Sequence, residues 1–245
     1  MINFFIHFSI LIGYFLLVLA ILPIVFKVAL NLPKEVIRKF QHIGYAVSFL
    51  FYIYLFESWA YSVIAIILFI ILAFSVLYGL EKTSVYKRLF VDRQKAGGEL
   101  KYSLIQAQAM FAILLYLFYY LLPGENTIIV LIAIMSWGVG DALAALLGKR
   151  FGVKKHDGIG ADRKKTYFGS ISLDITVLLI VFIMLVFFEG TLWWVALIIA
   201  LIVSPLATTI EAYSKKGTDT TFLPIGIALM VYGLLYLFMI LGVLS

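Results

Sequence analysis

Eight long apolar runs take up most of this chain: Asn3–Val25, Ile43–Phe56, Trp59–Leu80, Ser103–Leu122, Thr127–Leu147, Gly169–Phe188, Leu192–Ile210 and Phe222–Val243. About 20 apolar residues, each rising ~1.5 Å along a helix, cross a hydrocarbon core ~30 Å thick. The pattern therefore predicts an all-α fold. It is a polytopic integral membrane helix bundle of about eight transmembrane helices, forming one catalytic domain over residues 1–245. The second run is short, so it either borrows length from the polar turn before it or packs tilted in the bundle. With 64% hydrophobic and 13% charged residues, the chain is excluded from the ordinary soluble class. The first run is not a secretory signal peptide, because it lacks a basic leading segment and is too long.

The charges set an orientation. All 19 Lys and Arg residues lie in alternate gaps between the apolar runs. One group is Lys27, Lys34, Arg38 and Lys39, and the next runs from Lys82 to Lys101. The third runs from Lys149 to Lys165, and Lys215 and Lys216 form the last. The other gaps, Glu57-Ser58, Pro123 to Asn126 and Glu189-Gly190, hold none. Cytoplasmic loops are enriched in Lys and Arg, so the basic gaps are expected inside and both termini on the opposite side. Trp59, Trp193, Trp194, Tyr119 and Tyr120 fall at the other helix ends, where an outer aromatic belt belongs. The formal charge of +6 thus describes one face, suited to anionic lipid head groups or nucleotide phosphates. Plain positive-inside anchoring accounts for most of these residues as well. The chain has no cysteine, which removes disulfides, thiolate catalysis and cysteine metal sites. Membrane lipids are expected partners and nucleic acid is not.

The third basic gap is about twenty residues long and reads GKRFGVKKHDGIGADRKKTYFG from Gly148 to Gly169. Loops beyond about 12–15 residues in a compact domain are usually functional or disordered. Its glycines, among them Gly148, Gly152 and Gly169, let backbone N–H groups turn toward an anion. Lys149, Lys164 and Lys165 add charge. Thr166, Gly169 and Ser170 open the next helix, whose first N–H groups have no partner within it. This is a phosphate-gripping composition. It is not a Walker A loop, since no GxxxxGK[ST] string occurs. A solvated basic loop has the same composition.

Asp141 lies 14 residues beyond Thr127, a rise of about 21 Å at ~1.5 Å per residue. It is therefore still within the membrane, toward the basic side. A charge at the bilayer centre costs at least ~2.5 kcal/mol, and such side chains usually face a cavity. Gly138 and Gly140 leave room beside it. Glu211 and Asp219 reach similar depth from two other segments. Three carboxylates on one face suit a hard divalent cation, which prefers oxygen ligands. The alternatives are an Asp141 paired with Lys149 or Lys101 as structural glue, and an Asp219 that only shapes a turn. Asp174 reads as a structural hydrogen-bonding residue. Arg38 and His42 are four apart and share one helix face, so with Lys39 they form a further phosphate-binding candidate or a positive-inside anchor. His7 and His156 receive no role.

Four strings in order, RKFQH at 38–42, GDALAALLGKRFG at 140–152, KKTYFGS at 164–170, and Glu211 followed by GTDTTFLP at 217–224, resemble the polyprenol kinase family. That family includes dolichol kinases, phytol kinases and a CTP-dependent diacylglycerol kinase, and is similar to phosphatidate cytidylyltransferases. The resemblance implies an all-helical membrane enzyme that phosphorylates a lipid alcohol, with CTP as co-substrate and Mg²⁺ or another divalent cation. It implies metal on Asp141 with Glu211 or Asp219, nucleotide phosphates on Lys149, Lys165 and the glycine loop, and Asp141 or Asp219 as the base. Asp219-Thr220 replaces the family's usual Asp-Asn pair. Cytidylyltransferases carry a Glu and a second Gly after their Lys-Thr, and a Gly-His-Gly-Gly string after the proline. Tyr167-Phe168-Gly169 and Pro224-Ile225-Gly226 lack both, which favours the kinase branch. The alternative readings are cytidylyl transfer to a lipid phosphate and, from another class, a small transporter.

The orientation is testable because the chain supplies no competing thiol. Single cysteines at Glu125 and at Lys155 are expected to react with a membrane-impermeant thiol reagent from opposite sides. Labelling of both from the same side would overturn the topology.

Overall fold

The computed structural model describes residues 2–84, 86, 99–122, 124, 126–156, 165–214 and 218–244. The chain divides into two compact units, Met1–Leu122 and Pro123–Ser245. The first holds α1 (Ile2–Val28), α2 (Lys34–Tyr54), α3 (Trp59–Leu80) and α4 (Leu100–Leu121). The second holds α5 (Thr127–Phe151), α6 (Tyr167–Phe187), α7 (Trp193–Tyr213) and α8 (Asp219–Ile240). Seven of the eight are long and apolar enough to cross a membrane. The exception is α2, where Lys34, Glu35, Arg38 and Lys39 crowd the first half. The short second run thus gains its length from the polar turn before it: the helix starts at Lys34, directly after Pro33.

In hydrocarbon a backbone polar group needs an internal partner, and the first unit shows how one is supplied. Pro23 has no N–H, so the carbonyl of Leu19, four residues earlier, loses its helical donor. The preceding segment Leu16–Ile21 widens into a π-helix. The buried amide of Gln41, on α2, donates to Leu19 O at 2.9 Å. Close approach of the two helices makes this reach possible. A Cβ on Gly44 would lie 2.2 Å from Val18 Cγ1, and the Tyr14 hydroxyl donates to Gly44 O at 2.8 Å. At the far end of α2, the Ser62 hydroxyl donates to Tyr52 O at 2.6 Å, and Ser58 Oγ accepts from the Tyr61 N–H and starts α3. Phe15 stacks on Phe69, and Phe49 packs against Phe111, so all four helices share one aromatic core. Trp59, Tyr116 and Tyr120 gather at one end of the unit.

In the second unit α6 packs against both α5 and α7, and α8 packs against α7 and α5. The most buried of the apolar helices is α5, whose residues 129–134 are all enclosed. The turn from α6 to α7 passes through Gly190 at φ +72°, a backbone conformation that costs a residue with a Cβ but not glycine. The described residues contain one isolated antiparallel bridge, Lys155 to Thr166, and no strand.

Gln41→Leu should strand Leu19 O in the apolar interior. Polar contacts of this kind average ~0.6 kcal/mol in membrane bundles and reach ~1.7, so a destabilisation of about 1 kcal/mol is expected. A lowered unfolding midpoint in a denaturing-detergent titration would show it. An unchanged midpoint would mean that Leu19 O finds another donor.

Candidate active site

The middle of α5 and the ends of α7 and α8 bring three carboxylates together. The first belongs to α5, which loses its regular winding over Ser136–Gly140, where it runs as a π-helix, and resumes as α-helix at Asp141. Single-turn π segments of this kind are frequent at functional sites. Gly140 lies tight against α6, since a Cβ there would stand 2.7 Å from Leu173 Cδ1. The second is Glu211, in the last turn of α7. The third is Asp219, the first residue of α8, whose Oδ1 accepts the N–H of Thr220 at 3.0 Å. One carboxylate oxygen from each of Asp141, Glu211 and Asp219 lies within 4.8 Å of the other two. Glu211 is buried and the other two are half-buried. A clustered, largely enclosed set of oxygen donors fits a hard divalent cation such as Mg²⁺.

Lys165 stands among them. Its Nζ is 2.7 Å from Glu211 Oε1 and 3.4 Å from Asp219 Oδ2, and it also donates to the main-chain carbonyl of Glu211. Burial pulls its pKa down, but the carboxylates of Glu211 and Asp219, with a smaller part from Asp141, outweigh this and hold the ammonium above its ordinary value. The backbone that carries Lys165 is fixed on both sides. His156 N–H donates to Lys165 O, and Tyr167 N–H donates to Lys154 O, both at 3.1 Å. These bonds close the base of the long basic loop.

The described glycines of this stretch, Gly148, Gly152 and Gly169, have a packing role. Gly148 and Gly152 end α5, and Gly169 lies in the first turn of α6. A Cβ on Gly152 would be 2.3 Å from Thr166 Oγ1, and one on Gly148 would be 3.1 Å from Gly169 Cα. One on Gly169 would be 2.9 Å from Ala144 O. The missing side chains let the two helices touch where Thr166 caps α6. Thr166 Oγ1 accepts from Gly169 N–H at 3.2 Å and donates to Gly148 O at 3.4 Å. The N–H groups of Tyr167, Gly169 and Ser170 are thus already bonded, to Lys154 O, Thr166 Oγ1 and Thr166 O. The Ser170 side chain meets His156 Nε2 at 2.9 Å, and the His156 ring lies 4.2 Å from that of Tyr167. Sequence reasoning gave His156 no role, and no local pattern marks it. It secures the loop base against α6.

Lys149 is exposed in the last turn of α5. Lys164 lies outside the described residues. Arg38, Lys39 and His42 belong to α2 of the first unit, where Arg38 pairs with Glu35 at 2.5 Å and Lys39 is buried. Lys101, once a possible partner of Asp141, pairs with Glu81 at 2.8 Å in the first unit. Asp174 Oδ1 is buried and has no hydrogen-bond partner among the described residues, so the hydrogen bond expected there is not found at that atom.

The chain is similar to a phytol kinase from Synechocystis sp., 29% identical over 108 residues, which is 44% of this chain and 44% of the relative. The match therefore spans less than half of that kinase. No protein-family model matches the chain, and no solved structure does.

The crossing of α5 and α6 positions Lys165, so disturbing it should be costly. Gly152→Ala forces a methyl group into the Thr166 hydroxyl and is expected to destabilise by about 1–3 kcal/mol, as overpacking does. Thr166→Val, which removes the cap and the bond to Gly148 O but adds no bulk, is expected to cost ~1 kcal/mol. Unfolding midpoints of the two variants in one detergent would check the order. Equal stability of Gly152→Ala and wild type would refute the packing role.

Proposed function

We propose that this protein phosphorylates a membrane lipid alcohol of the polyprenol, dolichol or phytol type, with CTP as donor, at the cytoplasmic face. The observation that carries the reading is the convergence of Asp141, Glu211 and Asp219 around Lys165, where the middle of α5 meets the ends of α7 and α8. The similarity to a phytol kinase supports the same class of substrate. The order of the four sequence strings supports CTP, and the distribution of Lys and Arg supports the cytoplasmic side.

In this reading the three carboxylates would hold Mg²⁺ or another divalent cation, which when bound neutralises charge on the transferring phosphoryl group. Lys165 and Lys149 bind the nucleotide phosphates through their ammonium groups. Side chains have to carry that contact, because most of the N–H groups described at the start of α6 are bonded internally. The alcohol oxygen attacks the γ-phosphorus, a new O–P bond forms, and the bond from that phosphorus to the bridging oxygen breaks, releasing CDP. Asp141 or Asp219 accepts the hydroxyl proton. The apolar tail stays between helices or in lipid. Positioning and electrostatic stabilisation supply most of the rate in phosphoryl transfer.

Labelled CTP with a panel of lipid alcohols and lipid phosphates tests the reaction. Transfer of the γ-label to the lipid is expected. Transfer of the α-label would make the protein a cytidylyltransferase, and flux of solute across liposomes without nucleotide would make it a transporter. Asp141→Asn is expected to lower turnover by more than tenfold, a barrier increase above ~1.4 kcal/mol, while the variant still inserts and folds. Retention of more than about a tenth of the rate would make Asp141 structural. Lys149→Ala is expected to raise the apparent KM for CTP with little change in kcat, the mark of a contact made equally in ground and transition states.

A further inference from the structure

The ammonium of Lys165 is held in a way that an ordinary surface ion pair is not. A lysine has three N–H donors, and this one has three acceptors: Glu211 Oε1, Asp219 Oδ2 and the main-chain carbonyl of Glu211. The carbonyl belongs to the last turn of α7, where the helix end carries partial negative charge and favours a cation. Two of these acceptors come from carboxylates whose oxygens make up the cluster with Asp141. The ammonium therefore lies against two of the three carboxylates that a metal ion would need.

A divalent ion and an ammonium held against the same carboxylates repel each other, and the more so in an enclosed site of low dielectric constant.

We infer that Lys165 and a divalent cation exclude each other from the carboxylate cluster, so that binding of the ion releases the Lys165 ammonium toward the nucleotide. This rests on the kinase reading and deepens it: the ion and the phosphate grip are then coupled, and Lys165 acts on phosphate only once the cluster is loaded. The fold allows the exchange without rearrangement. The backbone at Lys165 is pinned by the bonds to Lys154 and His156 and by the Thr166 cap. The movement is confined to a flexible four-carbon stem, and the side chain is 17% exposed, which gives it a way out.

The test uses the full chain in detergent or nanodiscs with Mn²⁺ alone, without nucleotide. In wild type, acetylation of the Lys165 amine, read by mass spectrometry, is expected to rise when Mn²⁺ saturates the protein. An unchanged or lower extent would overturn the exchange. Separately, Lys165→Met is expected to bind Mn²⁺ about tenfold more tightly than wild type, because a competing positive charge is gone. Lys165→Arg is expected to show no such gain. Equal or weaker binding by Lys165→Met would also count against exclusion. The labelling arm needs no variant, so misfolding of Lys165→Met does not protect the idea. Asp141→Asn separates the two levels. If it abolishes Mn²⁺ binding while Lys165 labelling ignores the ion, the exchange falls and the metal site stands. If wild type and Lys165→Met both fail to bind Mn²⁺, the metal site falls and the exchange with it.

Discussion

Three acidic side chains drawn together between apolar helices repel one another and lose hydration, and the contact of Glu211 and Asp219 with Lys165 is what makes the arrangement tolerable. A buried charge without a partner costs several kcal/mol. Breaking such a pair from one side is more destructive than replacing both partners, because it leaves the other charge enclosed and uncompensated. The helix ends share the task unequally. Asp219 opens α8, where the N-terminal dipole favours a carboxylate and the Thr220 N–H bonds it. Glu211 closes α7, where the dipole opposes it. Glu211 is the more enclosed of the two, and it makes the shorter contact with Lys165.

That contact depends on a loop base that is rigid for reasons unrelated to charge. Lys165 comes one residue before the cap of α6, and the cap exists because three glycines let α5 and α6 meet. Thr166 bonds both helices at once. The main-chain bonds of the Lys155–Thr166 bridge then hold the strand of chain that presents Lys165. The first unit solves a related problem by related means: a glycine on α2 brings it close enough to α1 for a side-chain amide to replace the donor that a proline removed. In both units close helix approach at glycine comes with a polar side chain that satisfies a main-chain carbonyl.

The membrane fold was legible because apolar length is a coarse signal that survives any error of a few residues. All eight runs became helices, and Trp59–Leu80 kept its bounds. At the helix ends that meet the basic gaps, the errors have one sign. Hydropathy ended or began the helices near the first charged residue, whereas α2, α5 and α8 run on through Lys34, Lys149 and Asp219. Main-chain hydrogen bonding does not stop where the apolar side chains do, and the charged extensions hold the chemistry. The division into two compact units was not legible, since the sequence offers no linker at Leu122. Depth and sidedness did foretell that Asp141, Glu211 and Asp219 could meet, although only packing brings their oxygens together.

The described ends of the glycine-rich loop show how composition leaves two readings open. Glycine, lysine and a helix start describe a backbone phosphate cradle, and equally a tight crossing of two helices. Composition cannot separate them, because both need a residue without a Cβ. What separates them is where the N–H groups point and what they already bind. Here Gly169 N–H is taken by Thr166 and Tyr167 N–H by Lys154. An anion would have to break the cap that keeps Lys165 in place in order to use them. Any phosphate bound here is therefore better served by ammonium groups on flexible stems than by the backbone. The glycines act one step earlier, by fixing the point from which Lys165 reaches the carboxylates.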